Sequence, residues 1–87
     1  MSELRPTDSN FDHIIKTNVR NILIECRHEK GLTQTDVGNI VGKSKTAVAS
    51  WEQGLALPDI ATLYRLALYY RKTLEYMCGL EDKKDDH

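Results

Sequence analysis

Residues 33–54 read TQTDVGNIVGKSKTAVASWEQG, and this stretch decides the fold. Thr33 is a good helix N-cap, because its hydroxyl can accept an amide proton that the first turn leaves unpaired. After it Val37, Ile40 and Val41 fall at helical spacing and are expected to face inward. Gly42 then stops the helix, since glycine readily takes the left-handed backbone of a helix end. Ser44 is a second N-cap, and Lys45 to Glu52 form a second short helix with Val48 and Trp51 on its apolar side. Gly54 ends it. Between the two helices, about Gln34 to Val41 and Lys45 to Glu52, stand only Gly42, Lys43 and Ser44. A turn that short makes the helices cross steeply, as in a helix-turn-helix. Gly38 sits inside the first of them and is unfavourable there by about 1 kcal/mol relative to alanine. Its presence predicts that another helix packs close at that point.

Outward from this pair the helical pattern continues. Residues 1–10 are polar, include Pro6, and are expected to form a flexible arm. Ser9 followed by Asp12 resembles a capping box. Phe11, Ile15, Val19, Ile22, Leu23 and Cys26 then trace one amphipathic helix that ends at Gly31. On the other side, Leu55 to Pro58 make a connector and Asp59 caps a fourth helix. Its predicted inward stripe is Ile60, Leu63, Leu66, Ala67 and Tyr70. Thr73 caps a last short helix carrying Leu74 and Met77, closed by Gly79. Residues 81–87 are charged and expected to be disordered. No stretch alternates apolar and polar residues over a useful length, so no strand is expected. The chain is read as all-α, a compact bundle of five short helices over residues 11–80.

The chain has 87 residues, enough for one domain, and its 40% hydrophobic and 29% charged content is that of a globular protein. The net charge of -1 gives no overall support for a nucleic-acid partner. Charge distribution must carry that argument. Glu81, Asp82, Asp85 and Asp86 lie in the tail, so the body is more basic than the whole, with Lys16, Arg20, Lys43 and Lys45 the cations of interest. Two cysteines and no apolar leader predict a reducing cytoplasm, and no apolar run approaches the roughly 18 residues of a membrane span.

The second helix of the pair carries the functional signal. Lys45, Thr46, Ala49 and Ser50 face outward, and no acid that phosphate would repel shares that face. Lys45 can donate to guanine acceptors, and Thr46 can donate, accept, or set its methyl against that of thymine. The helix start itself favours phosphate through its free amides and dipole.

At this point the chain resembles the lambda-repressor and Cro-like helix-turn-helix domains. The resemblance runs over about Val19 to Gly79 and rests on RHEKGLTQTDVGNIVGKSKTAVASWEQG (27–54) and PDIATLYRLALYYRKTLEYMCG (58–79). It implies that Gln34 touches phosphate and that Lys45, Thr46 and Ser50 read bases. It also implies that Arg27 and Glu52 form a structural ion pair tying the first helix to the recognition helix. The family usually has apolar residues where Lys43 and Lys72 stand; lysine stems can cover apolar surface, and Lys43 is expected to add a phosphate contact beside Ser44. No arginine or glutamine stands on the outward face, so part of the specificity is expected to come from DNA shape.

The function expected is a sequence-specific transcriptional regulator, a repressor, acting on double-stranded DNA as a homodimer. Tyr64, Tyr69, Tyr70 and Tyr76 are assigned to core packing or a subunit interface rather than base stacking, and the region of Leu68, Tyr69 and Tyr76 is the candidate dimer interface. The alternative is an antitoxin or other module that holds a protein partner on the same fold. Cys26, His28 and Cys78 do not make a metal site, since Cys26 falls on the apolar stripe and zinc usually takes four ligands. No cofactor is expected. Nor is an enzyme: no phosphate-binding loop is present, and nothing orients Ser9 toward His13.

Overall fold

The computed structural model describes residues 4–80. The tail 81–87 and the first three residues of the expected arm lie outside the described residues. Within them the chain forms α1 (Phe11–Glu29), α2 (Gln34–Val41), α3 (Lys45–Glu52), α4 (Ile60–Tyr70) and α5 (Leu74–Met77), with no strand.

Capping explains where four of these helices begin. Thr33, Ser44, Asp59 and Thr73 each take up the amide three residues ahead, and Asp36 returns a bond to the Thr33 amide. The start of α1 differs from the expected box at Ser9 and Asp12. Its N-cap is Asn10, without a side-chain cap bond, and a turn held by Asp8 and Arg5 leads into the helix.

The helix ends share one closure. The amide just after a left-handed residue reaches back over the last turn, as in Leu32 to Arg27 (3.1 Å), Lys43 to Gly38 (2.8 Å) and Lys72 to Ala67 (2.8 Å). The left-handed residue this requires is a glycine after four helices, but after α4 it is Arg71, at φ 61°.

α1 lies across α3 and α5, and α2 packs on α3 and α4. Their shared core takes Val19, Leu23 and Cys26 from α1, Val37 and Val41 from α2, and Val48 and Trp51 from α3. It is completed by Leu63, Leu66, Ala67 and Tyr70 of α4 and Met77 of α5. Leu66 and Met77 are fully buried, and side chains of that size contribute about 2 kcal/mol each when removed from water.

Two residues assigned to the core lie outside it. Ile60 is 70% exposed and Ile40 is 37% exposed. Ile60 is the first residue of its helix and stands before the turn that meets the core. Gly38 is also explained differently than expected. A Cβ there would come within 2.5 Å of the Lys43 carbonyl oxygen, so the turn between α2 and α3, not another helix, presses on it.

Candidate nucleic-acid interface

The recognition surface begins with how α3 is held. Val48 and Trp51 are buried, so the helix is docked along one side. Its far end is fixed by charge. Arg27 of α1 donates Nε to Glu52 Oε2 at 2.8 Å and Nη2 to Glu52 Oε1 at 2.9 Å. The remaining Nη1 donates to the Leu32 carbonyl at 3.0 Å. Glu52 is buried, and its bond to Arg27 raises the guanidinium pKa further above its ordinary value. One arginine thus joins α1, the loop before α2 and the end of α3.

Gln34 completes the cluster. Its side-chain amide donates to Glu52 Oε1 at 3.1 Å. In this structure the Gln34 side chain points into the ion pair rather than out toward a ligand. Sequence reasoning missed this link, because it pairs residues from two elements whose crossing no local pattern reports.

The other end of α3 is open. Ser44 accepts the Ala47 amide at 3.0 Å, and its own position is exposed. Lys45 and Thr46 are exposed in the first turn, while Ala49 and Ser50, one turn further on, are half-buried. No acid stands in that first turn. The four residues expected on the outward face are therefore brought together on one side of α3, opposite Val48 and Trp51.

Lys43 precedes this face and is exposed. Its ammonium lies 3.5 Å from Asp59 Oδ2, the N-cap of α4. Asp59 is held below the ordinary carboxylate range, chiefly by its bonds from Thr62 and with a smaller contribution from Lys43. Arg20 sits at the opposite end, with its stem against Gly54. Lys16 is half-buried on α1, so it does not extend the exposed basic edge.

Cys26 is buried in the core and Cys78 is half-buried at the end of α5; burial raises both thiol pKa values. Among the described residues no group of three or more His, Cys, Asp or Glu converges as a metal site would require. No described helix is long and apolar enough to cross a membrane.

Two short helices joined by a tight turn, the second docked by one face and open on the other, define a helix-turn-helix domain. Residues 23–77 match the helix-turn-helix family HTH_3, and the chain belongs to that family, the lambda-repressor and Cro-like class. No curated protein matches the sequence significantly. The crystal structure of an HTH_3 family transcriptional regulator from Vibrio cholerae is similar, with a TM-score of 0.67 and 26% sequence identity. The match covers 78% of this chain and 38% of that one, so the chain spans well under half of that regulator's length.

Proposed function

We propose that this domain is a sequence-specific DNA-binding transcriptional regulator that lays α3 in the major groove. The observation that carries this reading is the exposed, acid-free start of α3, held rigidly at its other end by Arg27, Glu52 and Gln34. In this role Lys45, Thr46 and Ser50 contact base edges, and the Ala49 methyl offers apolar contact to thymine. Lys43 and the Ser44 end of the helix take phosphate, which positions the domain without reading sequence. Gln34 contributes from the start of α2, through its backbone amide, while its side chain braces Glu52.

A helix of this length covers only a few base pairs. The domain therefore acts as a homodimer on an inverted repeat, with half-sites about one helical turn apart. The likeness to an HTH_3 family transcriptional regulator from Vibrio cholerae supports the regulatory role, which we read as that of a cytoplasmic repressor.

The test replaces Lys45 and Thr46 together by alanine. Operator affinity is expected to fall by roughly tenfold to a hundredfold, the loss typical of base-edge contacts, with the fold intact by circular dichroism. Unchanged affinity would remove this binding mode.

A further inference from the structure

Lys43 is held by its backbone and by its charge. Its amide donates to the Gly38 carbonyl at 2.8 Å, and its own carbonyl oxygen lies so near Gly38 that a Cβ there would come within 2.5 Å. The backbone of this turn is therefore tightly fitted, and only the side chain is free to move. That side chain crosses to the start of α4, where the ammonium lies 3.5 Å from Asp59 Oδ2. Asp59 is the fixed partner of the two. Its Oδ1 accepts the Thr62 amide at 2.8 Å, and its carbonyl accepts the Leu63 amide at 2.9 Å. The carboxylate is anchored as a helix cap, with its second oxygen turned to the lysine. Both side chains reach water, at 40% exposure for Lys43 and 59% for Asp59. An ion pair so exposed is weak enough to exchange partners.

This acid stands beside an edge that is otherwise free of acids. The first turn of α3 has none, and Ser44, Lys45 and Thr46 are exposed next to Lys43. A phosphate set against that edge meets a lysine whose charge is already matched. We propose that Asp59 competes with DNA phosphate for Lys43, and so sets how tightly the domain holds duplex DNA of any sequence. The inference rests on the reading of α3 as the helix that contacts DNA.

Lys43 divides its time between the carboxylate and the phosphate. When its stem swings to phosphate, the turn and the cap stay where they are. Asp59 is not left bare by that move, since its bond from Thr62 remains and Arg65 and Asn39 line the same groove. The effect falls on the phosphate part of binding, which counts the charges neutralised and reads no sequence. Asp59 touches neither base nor phosphate and acts through Lys43, as a positioning residue. Were its task instead to present Lys43 to phosphate, its removal would weaken binding, so the sign of the effect decides between the two.

Asp59→Asn separates the two roles of the side chain. Asparagine caps a helix as well as aspartate does, so α4 keeps its start while the charge that holds Lys43 is gone. Asp59→Ser, a second neutral cap, serves if the asparagine variant loses its fold. Binding of a short generic duplex is measured by fluorescence anisotropy from about 50 mM to about 200 mM salt. The proteins are the wild type, Asp59→Asn, Lys43→Ala and the double variant. Asp59→Asn is expected to bind roughly twofold to fivefold tighter, the fold-change that matches an exposed ion pair, and to steepen the salt dependence by up to about 0.9. In the Lys43→Ala background the same change is expected to have no effect. Unchanged or weaker binding by a folded Asp59→Asn overturns the proposal. So does a gain that persists without Lys43, since the carboxylate would then repel phosphate directly. A wild type that binds no generic duplex at low salt overturns the DNA reading and this inference together. A wild type that binds, with an affinity that Asp59→Asn leaves alone, overturns this inference only.

Discussion

Arg27 gives its donors to two elements other than its own, and Glu52 receives three of the bonds around it. A single side chain therefore sets the angle at which α3 leaves the core. Removing one partner leaves the other desolvated, which costs more than the pair itself contributes. Arg27→Ala is expected to lose about 3 kcal/mol in urea denaturation, whereas Lys45→Ala stays within about 0.5 kcal/mol. Equal small losses from both would show that the cluster does not brace the fold. Tyr70 makes a second residue-scale prediction. Burial pushes its phenol from 10.0 up to about 12, helped by the nearby Cys26 and Glu52. A raised pKa means that the folded state resists ionisation, so the stability is complete below pH 10 and is lost as pH rises toward 12. Tyr70→Phe should lack that part of the alkaline loss, a difference on the order of 2 kcal/mol between the two proteins at high pH. Parallel curves for wild type and variant would contradict it.

The elements follow from local chemistry, and most of that was readable. Thr33, Ser44, Asp59 and Thr73 are N-caps because their side-chain oxygens reach an amide three residues ahead, a rule that needs no tertiary knowledge. Glycines at 31, 42, 54 and 79 mark helix ends for an equally local reason. Arg71 shows where this fails, since it takes the left-handed position with a side chain that disfavours it. Arg71→Gly is expected to stabilise the domain by about 1 kcal/mol, read as a raised melting temperature. A lowered one would mean that the arginine makes a contact worth more than its strain. The inward faces were less legible than the ends. Periodicity finds a face only when the other face is polar, and α4 is apolar nearly all round. Ile60 was accordingly placed in the core although it is exposed. Ile40 lies off the face of α2 that Val37, Gly38 and Val41 bury, although helical spacing alone admits it.

At the scale of the whole molecule, net charge was the poorest guide. The value of -1 hides a local pattern: Lys45 stands at the open start of α3 with Lys43 before it, paired to Asp59, while Glu52, the acid of that helix, is buried and paired. The outward placement of Lys45, Thr46, Ala49 and Ser50 was legible, since Val48 and Trp51 define the opposite side. The inward turn of the Gln34 side chain was not, because it depends on where α3 ends relative to α2. Whether α3 reads duplex DNA is decided by selecting binding sites from a random duplex library with the purified protein. Enrichment of an inverted repeat with half-sites about one turn apart, lost in Lys45→Ala/Thr46→Ala, is the expected result. No enrichment, together with no binding of generic duplex DNA at low salt, would contradict it.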